Sequence, residues 1–81
     1  MIAFICGSQQ EVDWMMLRFA GATGTDMMFT TPHHPLGGSI AAYVVTDLAH
    51  KLAAGSPEFR DRLHRMIWHC EAGKARPAYG F

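Results

Sequence analysis

The first 31 residues carry, in order, the sequence signals of a strand, a helix and a second strand. Residues 1–6 form an uninterrupted apolar run typical of a buried strand, and this run ends at Gly7. Ser8 and Glu11 follow at the spacing of a capping box, in which both side chains accept hydrogen bonds from backbone N–H groups at a helix start. After a glycine-containing break, residues 26–31 predict a strand parallel to the first. Because two parallel strands are not stable alone, the rest of the chain must cover them.

The second half of the chain predicts two helices separated by a short break. Residues 31–38 are rich in proline and glycine and predict a loop. Ser39 is then expected to cap a helix over residues 40–54, and Gly55 ends it. Ser56 is followed by a proline and a glutamate, which is a strong start signal for a third helix that ends at Gly73.

Each predicted helix has one apolar stripe that we expect to face the core, because apolar residues recur at helical spacing. The predicted core stripes are Val12, Met15, Met16 and Phe19 in the first helix, Ile40, Val44, Val45, Leu48 and Leu52 in the second, and Phe59, Leu63, Met66, Ile67 and Cys70 in the third.

These signals predict the α/β or α+β class, as a small β-α-β-α-α single domain over residues 1–73 with a two- or three-stranded sheet. The tail, residues 74–81, is either loose or an edge strand docked through Tyr79 and Phe81. A sheet of two or three strands is undersized. We therefore expect the tail or a second copy of the chain to complete it, and in the second case the protein is a homodimer.

Composition limits the partners that this chain is suited to. Of its 81 residues, 49% are hydrophobic and 17% are charged, so some apolar surface should stay exposed. The formal net charge is zero, and no global field attracts the chain to nucleic acid or to an anionic membrane. The charges are unevenly distributed, however, since six of the seven lysines and arginines follow residue 50.

Both cysteines, Cys6 and Cys70, fall on predicted core positions, which is typical of free thiols in a reducing compartment. We expect a cytoplasmic protein that does not interact with membranes. The N-terminal residues lack the basic region of a signal peptide, and no apolar stretch reaches the length of a membrane span.

Two tryptophans fall opposite the predicted core stripes. On the first helix, Trp14 projects away from the core-facing stripe and lies beside Arg18. On the third helix, Trp68 also projects away from the core-facing stripe and lies beside His64 and Arg65. Exposed aromatic residues next to arginine are typical of protein interfaces, where they bury much area at a low entropic cost. We therefore predict one partner-binding patch of Trp68, Arg65, His64 and Arg62, and a second contact or self-association surface of Trp14 and Arg18.

A ligand site at the loop edge of the sheet is an alternative, because parallel α/β units bind ligands beyond the carboxyl ends of their strands. The residues expected there are Ser8, Thr31, His33, His34 and Ser39. The sequence has no phosphate-binding fingerprint at either helix start. We predict no cofactor and no metal, although His33, His34, His69 and Cys70 together would offer zinc ligands.

Two further patterns could carry chemistry or bind nucleic acid. Tyr43, Asp47 and His50 would share one face of the predicted second helix, where the carboxylate could orient the imidazole. Arg62, Arg65 and His69 form a basic strip on the third helix, and helices two and three could mimic a helix-turn-helix.

Taken together, these observations favour a small intracellular inhibitor or adaptor that docks on a partner protein and has no catalytic activity. The alternatives are a regulator that contacts nucleic acid through the third helix, and a small-molecule-binding or enzymatic domain that uses the loop after the second strand. No resemblance to a known family supports any of the three.

Overall fold

The structure, a computed structural model, describes residues 1–19, 27–34 and 40–78. The elements are β1 (Ile2–Ile5), α1 (Gln9–Arg18), β2 (Met27–Thr30), β3 (Ala42–Val45), α2 (Asp47–Gly55), α3 (Pro57–Ala72) and β4 (Arg76–Pro77). They confirm the α/β class: helices cover a parallel sheet whose strand order is β2-β1-β3-β4. None of the helices in these ranges is long and apolar enough to cross a membrane.

The first β-α-β unit forms as predicted. β1 and β2 are parallel, and Ile2 stands opposite Met27. Ser8 caps α1, because its hydroxyl accepts a hydrogen bond from the Glu11 N–H at 3.2 Å. The Glu11 carboxylate reaches back one residue further than in the standard capping box and accepts from the Gly7 N–H at 2.7 Å.

The prediction of a helix over residues 40–54 is wrong in its first part. Residues 42–45 form β3, which pairs with β1, and the helix begins only at Asp47. Thr46 caps this helix: its hydroxyl accepts from the Ala49 N–H at 3.3 Å. Ser39, the predicted cap, lies outside the described residues. A strand covered on both faces has a continuous apolar sequence, so over four residues it cannot be distinguished from the apolar stripe of a helix.

The tail supplies a fourth strand, so the predicted sheet of two or three strands is too small. β4 runs parallel to β3 as an edge strand, with the Arg76 N–H donating to the Ala41 carbonyl at 3.2 Å. Pro77 has no N–H, and such an edge position tolerates proline. Tyr79 and Phe81, the expected anchors of the tail, lie outside the described residues.

The two faces of the sheet pack against different helices. Ala3 and Ile5 of β1 join the buried cluster formed with α2 and α3. Phe4 points to the opposite face, where its ring stacks 5.0 Å from Phe29 of β2 and 6.3 Å from Phe19, which follows α1. α1 therefore covers one face of the sheet, and α2 with α3 covers the other.

The core stripe of α3 is confirmed: Phe59, Leu63, Met66 and Cys70 are buried, and Ile67 is half-buried. The stripe of α1 is confirmed only in part. Val12 is buried, and Met15 and Phe19 are half-buried, but Met16 is 54% exposed. The short α1 thus buries a narrower apolar face than its sequence predicts.

Gly7, which follows β1, packs closely against the start of α2. A Cβ atom at this position would meet the Leu48 Cγ at 2.8 Å and the Ala49 backbone nitrogen at 3.1 Å. The backbone of α2 cannot shift as easily as a flexible side chain, so only glycine allows this contact. We expect Gly7→Ala to lower the free energy of unfolding by about 1–3 kcal/mol, because overpacking strains a well-packed core.

Gly55→Ala is the matched control, because a Cβ atom at Gly55 has open space around it and the residue lies within α2. Alanine there should leave stability unchanged or raise it by up to about 1 kcal/mol. Guanidinium unfolding followed by circular dichroism measures both variants. Equal stabilities of the two variants would contradict the close packing of Gly7 against α2.

Candidate functional site

The carboxyl ends of β1, β2 and β3 meet at one edge of the sheet, where parallel α/β folds bind ligands. β1 lies between β2 and β3, and the chain leaves β1 towards α1 on one face and β3 towards α2 on the other. The gap between the ends of β1 and β3 is therefore the topological switch point of this sheet.

The chain's own Glu11 carboxylate bridges the β1 and β3 ends. One carboxylate oxygen, Oε1, accepts hydrogen bonds from the Gly7 N–H and from the Thr46 hydroxyl, each at 2.7 Å. Gly7 follows β1, and Thr46 is the cap of α2. Glu11 thus links the starts of α1 and α2. Its carboxylate occupies the Gly7 N–H and the Thr46 hydroxyl, which are donors that an anionic ligand at this edge would need.

The Cys6 thiol lies beside Glu11 at the same edge. Burial, with a smaller contribution from the nearby Glu11 carboxylate, raises its pKa to about 12. Burial also raises the pKa of the Cys70 thiol, with a smaller contribution from Glu71. Both thiols are therefore protonated at neutral pH, whereas the nucleophilic form of cysteine is the thiolate.

The predicted ligand loop is described only in part. The Ser8 hydroxyl is engaged in capping α1, and Thr31 is buried with its hydroxyl accepting from the His33 N–H at 3.4 Å. His33 and His34 are exposed, and the His33 ring lies edge-on to Phe59 with 5.9 Å between ring centroids. The fifth member, Ser39, lies outside the described residues.

Two predicted constellations do not form. Tyr43 lies on β3, not on a helix, and its hydroxyl donates to the Glu71 carboxylate at 2.5 Å. It is buried and shares no helix face with Asp47 and His50. In the parts of the chain that the structure describes, no three His, Cys, Asp or Glu side chains converge as metal ligands. The zinc set of His33, His34, His69 and Cys70 is therefore not assembled.

The outward position predicted for Trp68 is confirmed. The side chain is 65% exposed, and His64 and Arg65 beside it on α3 are exposed as well. At 100° per residue they share one arc with Asp61, opposite the buried stripe. We call these four residues, Asp61, His64, Arg65 and Trp68, the α3 outer face.

Arg62 and His69 lie on the flank of α3 next to this face. Arg62, a predicted member of the patch, pairs with Glu58 at 3.4 Å at the protein surface. Sequence reasoning did not place His69 in the patch, although its ring lies edge-on to Trp68 with 5.2 Å between ring centroids. The sequence signal that could have placed His69 in the patch is that it directly follows Trp68 in the chain.

α1 presents a second exposed apolar surface, formed by Trp14, Leu17 and Arg18, which we call the α1 outer face. Trp14 is 56% and Leu17 is 80% exposed, and the Arg18 guanidinium lies over the Trp14 ring at 5.4 Å from its centroid. α1 and α3 cover opposite faces of the sheet, so the two outer faces point to opposite sides of the molecule.

The chain matches no protein-family model, no curated protein and no solved structure. Its function must therefore be inferred from its own residues.

The Glu11 bridge generates a stability prediction. Glu11→Ala removes the acceptor of two hydrogen bonds and should lower the free energy of unfolding by about 1–3 kcal/mol, because bonds to a charged group are among the stronger ones. Glu11→Gln keeps a neutral oxygen acceptor and should cost less than the alanine variant. Denaturant unfolding at pH 7 measures both.

Glu58→Ala is the control for this experiment, since Glu58 also lies in the first turn of its helix but makes only an exposed ion pair. Glu58→Ala should lower the free energy of unfolding by no more than about 1 kcal/mol, the size of a helix-dipole or surface-pair effect. A Glu11→Ala loss no larger than the Glu58→Ala loss would show that the bridge between β1 and β3 contributes nothing to stability.

The raised thiol pKa values predict slow cysteine chemistry in the folded protein. At pH 8 we expect neither Cys6 nor Cys70 to react with Ellman's reagent in native buffer, because both are buried and protonated. Both should react after unfolding in guanidinium. One thiol per chain reacting in native buffer as fast as free cysteine would contradict this assignment.

Proposed function

We propose that this protein acts by docking on a partner protein through the α3 outer face, as an inhibitor or adaptor without catalytic activity of its own. Trp68 is the central anchor, with Arg65 and His64 around it and Arg62 at the flank. We include a cytoplasmic location in this proposal, because both cysteines are free and buried.

The observation that carries the proposal is the exposure of Trp68 on a helix that has a complete core on its other side. Four residues of α3 are buried against the sheet and α2, so the position of the helix does not depend on Trp68. An indole in water contributes nothing to the core and leaves a large apolar surface hydrated. Burial of this ring in a partner's pocket recovers that surface, which is how tryptophan hot spots contribute to binding.

The α1 outer face supports the same kind of function. Leu17 and Trp14 make it a further exposed apolar surface, and Arg18 stacks on Trp14 as arginine does at interfaces. We assign this face to self-association, which would give a homodimer, or to a second contact with a protein.

The two tryptophans allow a matched test. The protein would be immobilised as wild type, Trp68→Ala and Trp14→Ala, and used to capture proteins from a lysate of its native host. We expect a protein that wild type and Trp14→Ala retain and that Trp68→Ala loses. With that protein purified, Trp68→Ala should weaken binding at least about tenfold, as loss of an anchor residue does.

Circular dichroism and denaturant unfolding would confirm that both variants stay folded, as the exposure of both side chains predicts. Full affinity in a folded Trp68→Ala variant would exclude the α3 outer face as the binding surface. A captured nucleic acid with a steep salt dependence of affinity would instead favour the nucleic-acid alternative.

A further inference from the structure

We propose that the partner's docking site combines an apolar pocket for the Trp68 ring with carboxylate groups that pair with Arg65 and the cations around it. The inference rests on the proposed function and adds the chemistry of the partner.

α3, the turn that follows it and β4 together carry more cations than anions. Five of the seven lysines and arginines lie between residues 60 and 76, against three acidic residues from 58 to 71. The cations are Arg60, Arg62, Arg65, Lys74 and Arg76, and all five are exposed.

Two of the three acidic groups are already engaged within the protein. Glu71 accepts a hydrogen bond from the buried Tyr43 at 2.5 Å, and Glu58 pairs with Arg62 at 3.4 Å. The remaining acidic residue is Asp61, which lies two turns before Trp68 on the α3 outer face. Arg65 has no ion pair within the described residues.

Docking of Trp68 removes water from Arg65 as well, because the two side chains share one arc of the helix. A guanidinium that loses water without gaining an acceptor is strongly unfavourable. Asp61 lies one turn before Arg65 on the same face, but the two side chains form no ion pair in the described part of the chain. A carboxylate of the docked molecule supplies the acceptor that Arg65 lacks in this arrangement. Complementary charge of this kind also speeds association and excludes partners with a basic surface.

The arrangement of charges favours an acidic protein surface over the phosphates of a nucleic acid. A phosphate backbone is contacted by a row of cations, and each contact releases counterions. On α3 this row is interrupted, because Arg62 is neutralised by Glu58 and Asp61 lies on the same face as Arg65. The chain also has no excess of positive charge.

A displayed library of random peptides of about 16 residues tests this chemistry, since peptides of that length can present both an apolar anchor and flanking charges to a helix face. Peptides would be selected on the folded wild-type chain and counter-selected on Trp68→Ala. We expect the retained peptides to be enriched in Asp and Glu next to an apolar cluster. A synthetic peptide from this set should bind at least about tenfold more weakly to Arg65→Glu, because a repelling charge replaces an attracting one.

Arg18→Glu is the matched control: it makes the same charge reversal beside a tryptophan on the opposite side of the sheet, and it should change affinity less than about twofold. Asp61→Asn should tighten binding, because it removes the one carboxylate on the α3 outer face. Rising salt should weaken binding of the peptide to wild type.

The outcomes separate this inference from the function on which it rests. Retained peptides that need Trp68 but lack acidic residues, or that ignore Arg65→Glu, would overturn the inference and leave the docking function intact. A library with no peptide that depends on Trp68 would overturn both. Binding of a DNA duplex that outcompetes the acidic peptides and is lost in Arg65→Glu would assign the surface to nucleic acid instead.

Discussion

The central strand β1 is paired on both edges and buried on both faces, and this is the constraint on which the rest of the structure depends. Ala3 and Ile5 have no exposed surface, and Phe4 has almost none. A parallel strand in this position must be covered by helices on both sides of the sheet. In the described residues, α1 forms the layer on one side and α2 with α3 forms the layer on the other. Each helix therefore keeps an outer face in water, and those faces carry Trp14 and Trp68.

The helices that the sequence predicted correctly, α1 and α3, are those with local start signals. Ser8 with Glu11, and Ser56 with Pro57, mark helix starts through hydrogen bonds and backbone angles within a few residues, so no knowledge of the fold is needed to find them. β3 was missed because its residues are apolar on both faces. The cap inside the predicted helix, Thr46 followed by Asp47, was the signal that a helix begins later.

In the candidate site, too, the features with local sequence signals could be predicted and those that depend on the fold could not. Exposure of Trp68 and Trp14 could be predicted because helical periodicity alone determines which side of a helix a residue occupies. Tyr43 was misplaced because β3 was predicted as part of a helix. The predicted arrangement of Tyr43 with Asp47 and His50 on one helix face was wrong for the same reason. The hydrogen bond from the Thr46 hydroxyl to the Glu11 carboxylate joins residues 35 positions apart in the chain. It depends on β3 lying next to β1, which no local pattern in the sequence encodes.

The placement of the two outer faces bears on the choice between inhibitor and adaptor. Tyr43 on β3 holds Glu71 near the end of α3, and the buried stripe fixes the rest of that helix. Trp68 therefore lies on a preorganised helix, so binding costs little conformational entropy of the backbone. The α1 outer face lies on the other side of the sheet, which prevents one flat partner surface from covering Trp14 and Trp68 together. If both faces bind, they engage two molecules, either a target and a second copy or two different proteins. An adaptor therefore needs both tryptophans, whereas an inhibitor needs only the one on α3.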